Sequence, residues 1–525
     1  MALANWIEAV AGRTPDKAAL RFEGQDIGYA ALAHRIDRVG AALTAAGVER
    51  GDCVAWLGLN HPALLATLFA CARLGALFMP LNWRLTPTEQ RAMLLDCPPA
   101  LLCVDACFAA ASAEHAIAPA ATRCIALGAA PTGWIGWDEF ITRADAPVAR
   151  PAPPLAPACA ALGVDAPLLL CWTSGSTGRP KGVLLSQYAL AANADASVDM
   201  HALSAEDRVL TTLPLFHVGG LNILTTPALR AGCTVTLHAR FDAGATLQAI
   251  ERERITLTVL VPAQLEAMLA HPSWASADLS SLRSISTGST LVPQRLIEAV
   301  HARGVPLIQV WGATETAPIA ACLHAHEAWA KAGSTGRAAA GCELRIVDAA
   351  GRDVVPGASG EVLVRGRNVM SGYWRNAAAS EKALAGGWFH SGDSGHLDAD
   401  GFLSIDGRLT DMIISGGENV SPAEVEAVLL ACADIAEAAV IGRPDPRWGE
   451  AVVAVIVPRP GVTLTRERVL AFVDGRLARF KQPKDVLVVD ALPRTALGKV
   501  RREALRELFA SRRVATPASA EERIA

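Results

Sequence analysis

Short apolar runs alternate with helix-period segments along most of this chain, and that alternation narrows its fold more than any other feature. A strand and hairpin turn are predicted around Phe22 to Ile27, and a helix over Ala30 to Ala46. A strand at Cys53 to Leu57, a helix at Leu64 to Ala72 and a strand at Ala76 to Leu81 follow. Strands separated by single helices are joined by crossovers, so the pattern argues for mostly parallel sheets covered by helices, an α/β fold. Residues Pro147 to Pro167 include six prolines among alanines. Proline supplies no backbone N–H and sustains neither a ladder nor a helix, so this stretch reads as a connector at a subdomain boundary. Strand signals at Leu168 to Trp172, Thr211 to Leu213, Val235 to Leu237, Leu257 to Val261 and Leu307 to Val310 then repeat the alternation. They predict a second doubly wound sheet.

Beyond Gly341 the texture changes to short strands with glycine-rich turns, at Glu343 to Val347, Gly360 to Arg365 and Gly401 to Ile405. That suits a small β-barrel or antiparallel sheet. A last unit begins near Asp411. Its signals are a helix from Pro422 to Leu430, strands at Ala438 to Ile441 and Val452 to Val457, a helix from Arg466 to Ala478, a strand at Val486 to Val489 and a helix from Arg501. This is enough for an independent α+β domain of about a hundred residues. The expected organisation is a large N-terminal domain over 1–409, a small mobile C-terminal domain over 410–510 and a frayed tail over 511–525.

Size and charge exclude several classes. A chain of 525 residues is too long for one ordinary core. A net charge of -4 leaves no basic field for nucleic acid, and the most basic stretch, Lys499 to Arg506, is short. The most hydrophobic helical segment, Leu64 to Met79, is interrupted by Arg73 and is too short to span a bilayer. The N-terminus lacks the basic start and apolar run of a signal peptide, and the final Glu-Arg-Ile-Ala is no prenylation or peroxisomal signal. Cytoplasm is the expected location, and a homodimer is compatible with all of this. The twelve cysteines, among them Cys97, Cys103 and Cys107, offer no pair spaced by two residues and read as reduced thiols rather than zinc ligands.

The stretch Thr173-Ser-Gly-Ser-Thr-Gly-Arg-Pro-Lys-Gly182 leaves an apolar strand carrying four hydroxyls, three glycines and a lysine. Glycines let consecutive N–H groups turn inward as an anion nest, hydroxyls add donors, and Lys181 adds positive charge, so the loop suits a polyphosphate. It is not a Walker loop, which needs Gly-Lys-Ser/Thr running into a helix; here Pro180 precedes Lys181 and Gly182 follows it. The alternative is a flexible surface loop.

This loop closely resembles the phosphate loop of the adenylate-forming superfamily, which includes acyl-CoA synthetases, aryl-CoA ligases, firefly luciferase and the adenylation domains of peptide synthetases. The family's other landmarks recur in order from about residue 10 to residue 505. The resemblance implies an N-terminal AMP-binding domain, a C-terminal domain that turns on it, Mg²⁺, and ATP and coenzyme A as co-substrates. It assigns Thr173, Ser174, Gly175, Ser176, Thr177, Gly178 and Lys181 to the phosphates. Gln309-Val-Trp-Gly-Ala-Thr-Glu-Thr316 resembles the aromatic-Gly-x-Thr-Glu motif, so Gln309, Trp311, Gly312, Ala313 and Thr314 border the nucleotide, and Thr173 and Glu315 hold the metal. A hard cation wants a carboxylate with phosphate oxygens, which agrees with Glu315. Trp311 stands where the family usually has tyrosine; its ring can stack but has no phenol oxygen. Without the resemblance, Trp311-Gly312 reads as a core-to-turn junction.

In Trp388-Phe-His-Ser-Gly-Asp-Ser-Gly395 the resemblance gives Asp393 the ribose hydroxyls, and in Gly407-Arg-Leu-Thr-Asp411 it puts Arg408 near ribose or phosphate. Either aspartate is otherwise a turn residue. Lys499, in Leu492-Pro-Arg-Thr-Ala-Leu-Gly-Lys-Val500, falls at the family's mobile lysine. A carboxylate attacking the α-phosphate meets like charge, and an ammonium offsets it; a lone lysine near a chain end is otherwise a solvated charge. Pro214-Leu-Phe-His-Val-Gly-Gly220 resembles the segment lining the acyl pocket, with His217 as gate and Val218 beside it, although an isolated histidine is also often a packed core residue. No acid lies within Phe216 to Leu221, which argues against an amino acid substrate. Ser286-Thr-Gly-Ser-Thr-Leu291 matches the Gly-Gly-Ala strand end with Thr287 in place of the first glycine, leaving Gly288 and Ser289 in the site.

Ser415-Gly-Gly-Glu-Asn-Val420 resembles the loop facing the pantetheine tunnel, so Ser415, Gly416 and Gly417, with Trp448 more weakly, are the coenzyme A candidates; a plain hairpin turn is the alternative. Thr410 occupies the hinge position, where the family commonly has Asp or Lys. The expected enzyme is an AMP-forming carboxylic acid:CoA ligase with Lys499, His217, Thr173 and Glu315 in catalysis and a fatty or aryl/phenylpropenoid acid as substrate. The rivals are a ligase loading a carrier protein and a catalytically silent binding protein of the same fold.

Overall fold

The computed structural model describes residues 3–143, 166–173, 180–289, 292–409, 413–420, 422–493, 500 and 502–514. Ser174, Gly175, Ser176, Thr177, Gly178, Thr410, Lys499 and most of the proline-rich connector lie outside the described residues, as does the Arg408 side chain. The chain forms two compact units, a large one that ends at Leu409 and a small one that holds the chain beyond it, together with the short segment Arg84–Glu89.

The large unit contains two wide sheets. Across the eight-stranded sheet the order is Gly372–Tyr373, Lys181–Ser186, Pro167–Thr173, Leu77–Leu81, Cys53–Leu57, Leu101–Asp105, Arg123–Leu127, Ile135–Gly136. Across the nine-stranded sheet it is Arg337–Ala338, Ala321–Cys322, Leu307–Trp311, Ser284–Thr287, Leu257–Val259, Arg208–Thr211, Thr234–Leu237, Ala18–Phe22, Gln25–Gly28. The central strands of both are parallel, as the alternation predicts. The sheets do not follow one another along the chain, however. The hairpin of Ala18–Phe22 and Gln25–Gly28 pairs with Thr234–Leu237, while Pro167–Thr173 returns beside Leu77–Leu81. Pro167 is the first residue of that strand and not the end of the connector. Two exchanges of this kind tie the sheets together, and one continuous core containing Leu20, Phe69, Leu190 and Ile308 is shared by both.

Local chemistry sets the helix ends. Pro62–Leu74 starts on proline at its first position, where the missing N–H costs nothing, and stops at Gly75 with φ 71°. Its Arg73, expected as an interruption, is 3% exposed and reaches Glu8 at 2.9 Å and Asp37, so the charge is paired at the edge of the core. No helix among the described residues is long and apolar enough to cross a membrane. Beyond residue 341 a four-stranded antiparallel sheet runs Cys342–Val347, Gly360–Gly366, Phe389–Leu397, Leu403–Arg408, the open form of the two that the glycine-rich texture allowed.

The small unit is an α+β sandwich on the strands Glu418–Val420, Ile413–Ser415, Gly449–Pro458 and Ile435–Asp445, with Asp485–Val488 added in parallel to Gly449–Pro458. Alternation along its central strands separates two cores. Val440, Val452 and Ile456 meet Val425, Leu429 and Val473, whereas Ala439, Ile441, Val453 and Val455 meet Leu505. The helix expected to reach Ala478 ends at Val473, two residues before Gly475 with φ 69°. The last helix continues to Val514, so the first residues of the expected tail are helical.

Candidate active site

The phosphate-loop candidates Thr173 and Lys181 lie opposite each other in an antiparallel pair. The Thr173 hydroxyl donates to the Lys181 carbonyl at 3.3 Å, closing the base of the loop. Gly182 is closely packed: a Cβ there would lie 2.7 Å from Leu170 Cδ1 and 3.1 Å from Trp374 Cβ. The Trp374 N–H donates to the Gly182 carbonyl at 2.7 Å, so the segment around Gly372–Tyr373 is laid against the loop's exit strand.

The second group stands at the C-terminal end of the buried strand Leu307–Trp311, the usual ligand end of a parallel sheet. A Cβ on Gly312 would lie 1.8 Å from the Pro318 carbonyl oxygen, so the chain can fold back only over glycine. Thr314–Thr316 form a single tight turn, with the Ala313 N–H donating to Thr316 Oγ1 at 2.9 Å. Trp311 Nε1 donates to Asp393 Oδ2 at 3.0 Å, both residues being 8% exposed. Two candidates 82 positions apart are thereby joined. The indole N–H holds a buried carboxylate through a charge-assisted bond. Asp393 is also directly opposite Arg408 in the antiparallel pair of Phe389–Leu397 with Leu403–Arg408.

Glu315 is held from both ends. The Met370 N–H donates to its carbonyl at 2.8 Å, and the Tyr373 hydroxyl donates to its Oε1 at 2.9 Å. Burial, and then the neighbouring Glu315 charge, pushes the Tyr373 phenol well above its ordinary range, so it stays a donor at neutral pH. Lys181 Nζ lies 4.9 Å from the centre of the same ring. Two sets of contacts result, one running from Thr173 through Lys181 and Tyr373 to Glu315 and one joining Trp311 to Asp393, and the short stretch of chain from Trp311 to Glu315 links them. Tyr373 was missed in the sequence because it lies 58 positions beyond Glu315, in a stretch legible only as short strands.

The acyl candidates occupy the next strand ends of the nine-stranded sheet. The segment after Arg208–Thr211 carries His217 and the buried Val218, and Gly288 follows Ser284–Thr287, with Leu257–Val259 between the two strands. A Cβ on Gly220 would lie 2.3 Å from the Pro214 carbonyl oxygen, and one on Gly288 would lie 2.4 Å from that of Val310. Ser289 sits at φ 74°. Thr287, in place of a glycine, is accommodated fully buried beside Gln309. The approach to His217 is fixed by Asn60, another residue that sequence reasoning missed. Asn60 Nδ2 donates to the carbonyls of Leu213 at 2.9 Å and His238 at 3.0 Å, and its Oδ1 accepts from the Leu215 N–H at 2.8 Å. The Phe216 and His217 rings are 4.6 Å apart, and Trp83 meets Phe216 edge-on at 6.3 Å, so three rings cluster at this segment.

Behind the strand ends, the fully buried His201 has Nδ1 2.9 Å from the Ser197 carbonyl and Nε2 2.8 Å from Ser286 Oγ. The carbonyl can only accept, so Nδ1 carries the proton and Nε2 accepts from the serine. Burial pushes this histidine down to about 4.

In the small unit, Gly416 and Gly417 adopt φ 62° and 81°. The Gly416 N–H donates to the Trp448 carbonyl at 2.7 Å, and a Cβ on Gly416 would lie 3.0 Å from the Trp448 ring. The loop and Trp448, separate candidates in the sequence, form one surface, with the buried Ser415 at its start. Glu450 Oε2 accepts from the Ile414 N–H at 2.7 Å and ties the two strands together.

Known proteins match this chain over nearly its whole length. The model of the AMP-binding enzyme family matches residues 7–374, and that of the AMP-binding enzyme C-terminal domain matches residues 424–499. An indoleacetate–CoA ligase of Aromatoleum aromaticum is 57% identical over 510 residues, covering 97% of this chain and 98% of that protein. A feruloyl-CoA synthase of an Amycolatopsis species is 41% identical over 507 residues, covering 97% and 99%. Among solved structures, an o-succinylbenzoate CoA synthetase double mutant from Bacillus subtilis, bound to a product analogue, superposes with TM-score 0.84 at 31% identity over 96% of this chain and 98% of that one. The chain belongs to the AMP-binding enzyme family and carries both its large domain and its C-terminal domain.

Proposed function

We propose that this protein is an AMP-forming carboxylic acid:CoA ligase acting on an aryl-substituted acid. The observation that carries the reading is that two sets of contacts, Thr173–Lys181–Tyr373–Glu315 and Trp311–Asp393, are tied together by the short stretch from Trp311 to Glu315 and so gather the phosphate, metal, base and ribose candidates. Strong identity to an indoleacetate–CoA ligase and a feruloyl-CoA synthase supports the aryl class over the fatty one. The three clustered rings of Phe216, His217 and Trp83 support it as well. The absence of an acidic side chain from Phe216 to Leu221 favours an uncharged acyl group over an ammonium.

In the first half-reaction a carboxylate oxygen of the acid bonds to the α-phosphorus of ATP, and the bond to the bridging oxygen breaks with loss of pyrophosphate. Lys499 offsets the charge that builds up as two anions approach. Asp393, held by the Trp311 indole, accepts from the ribose hydroxyls, while the Trp311 ring offers a face to adenine. In the second half-reaction the thiol of coenzyme A loses its proton to solvent, its sulfur bonds to the acyl carbon, and AMP leaves with the bonding pair. Gly416 and Gly417, packed beside Trp448, are the residues that would border a pantetheine arm.

The residues fit a Mg²⁺ shared with phosphate. Glu315 offers a hard carboxylate oxygen, its Oε2 has no hydrogen-bond partner among the described residues, and those residues contain no group of three or more His, Cys, Asp or Glu able to hold a metal alone. When bound, such an ion neutralises phosphate charge and makes pyrophosphate a better leaving group. Thr173 and Glu315 are the residues that would hold it.

The test is a panel of indoleacetic, phenylacetic, cinnamic, benzoic and straight-chain fatty acids, each assayed for pyrophosphate exchange and for thioester formation with coenzyme A. Aryl acids should give both activities. Exchange without thioester would favour a carrier-protein acceptor, and better turnover of the fatty acids would refute the aryl assignment.

A further inference from the structure

Tyr373 joins two groups that no motif connects. Its hydroxyl donates to Glu315 Oε1 at 2.9 Å, and its ring lies under Lys181 Nζ at 4.9 Å from the centroid. Among the described residues Lys181 and Glu315 form no ion pair, each meeting Tyr373 instead. A lysine and a glutamate bordering one polyphosphate site would otherwise tend to neutralise each other. Tyr373 offers each a partner that leaves its charge intact: a ring face for the ammonium and a neutral hydroxyl for the carboxylate.

We propose that Tyr373 is a positioning residue that keeps Glu315 and Lys181 apart and charged, leaving the second Glu315 oxygen for a divalent cation and the lysine for phosphate. The proposal rests on the function argued above and assigns to that site a residue outside its motifs.

The surroundings make the side chain separable from the fold. Tyr373's backbone is pinned by its N–H donating to Ser380 Oγ at 2.8 Å, and its neighbours by Ser371 N–H to the Leu184 carbonyl at 2.9 Å and Trp374 N–H to Gly182 at 2.7 Å. The turn carrying Glu315 is held independently by Met370 N–H at 2.8 Å and by Asn368 Nδ2, which donates to the carbonyls of Thr316 at 2.8 Å and Ile319 at 2.7 Å. Removing one hydroxyl should therefore leave the backbone of the turn in place.

Two variants separate the roles. Tyr373→Phe keeps the ring under Lys181 and loses the bond to Glu315; Tyr373→Leu loses both. Mn²⁺ binding is read by electron paramagnetic resonance on full-length protein with a non-hydrolysable ATP analogue, and analogue affinity is measured without metal by calorimetry. Loss of an outer partner typically weakens metal binding by about 10–100-fold, so Tyr373→Phe should weaken Mn²⁺ by about tenfold and leave metal-free nucleotide affinity unchanged. Tyr373→Leu should in addition weaken metal-free affinity by about threefold, as Lys181 turns to Glu315. AMP, which lacks the outer phosphates, should bind all three proteins alike. A Tyr373→Phe protein that binds AMP normally and Mn²⁺ as tightly as wild type overturns the proposal. Wild-type protein that exchanges no pyrophosphate with any acid would instead overturn the functional reading, which the metal-binding comparison does not depend on.

Discussion

Trp311→Phe isolates the least expected feature of the proposed nucleotide site. The substitution keeps an aromatic face and removes one donor, the indole N–H, which lies 3.0 Å from Asp393 Oδ2 where both residues are 8% exposed. A hydrogen bond to a charged group contributes about 1.5–3 kcal/mol, and the lower figure applies because Asp393 keeps other interactions. About 1.5 kcal/mol is roughly tenfold in affinity. If the bond aims the carboxylate at ribose, that factor belongs to the sugar hydroxyls and not to the nucleotide as a whole. The assay is therefore a ratio: the affinity for ATP over that for 3′-deoxy-ATP, measured on wild type and variant by calorimetry, with thermal unfolding confirming that the variant is folded. The ratio should fall by about tenfold. A folded variant with an unchanged ratio would show that Asp393 is not aimed by Trp311 or does not read the ribose.

Lys499→Ala should slow pyrophosphate release by roughly two to three orders of magnitude, by analogy with removal of one transition-state donor, and near-normal release would remove Lys499 from the mechanism. Gly288→Ala places a methyl 2.4 Å from the Val310 carbonyl oxygen, so the strand end must shift; activation of the acid should drop more than tenfold with ~1–3 kcal/mol lost in urea unfolding, and an unaffected enzyme would contradict the close packing. His201, held down to about 4 from an ordinary 6.5, takes up its proton more readily once unfolded. Its contribution is thus complete above about pH 6.5 and is lost as pH falls towards 4, up to ~3 kcal/mol in all. Urea midpoints of wild type should accordingly fall more steeply with acid than those of His201→Gln, and parallel profiles would refute the assignment.

Much of the fold was legible because local pattern and long-range structure agree. The helix at Pro422–Leu430 and the strand at Cys53–Leu57 appear with the expected bounds, since strongly patterned segments carry their own period. Helix termini drifted where a single glycine intervened, as at Gly475. The exchange of strands between the two large sheets was not legible, because Pro167–Thr173 has the same apolar pattern whichever edge it joins. The arginine at position 73 looked like an interruption for a similar reason: its partners Glu8 and Asp37 are distant in sequence.

The same division runs through the site. The family resemblance was readable from residue order alone, because a glycine- and hydroxyl-rich loop, a carboxylate after an aromatic-Gly turn and a late lysine are local patterns whose order along the chain survives without coordinates. The pairings among the described residues came only with the folded chain: the Trp311 indole bonds Asp393, Asn60 anchors the approach to His217, and Tyr373 stands between Lys181 and Glu315. The physical reason is that a hydrogen bond has a range of about 3 Å in space and none in sequence, so partners tens or hundreds of positions apart leave no periodic trace until the strands that carry them are paired.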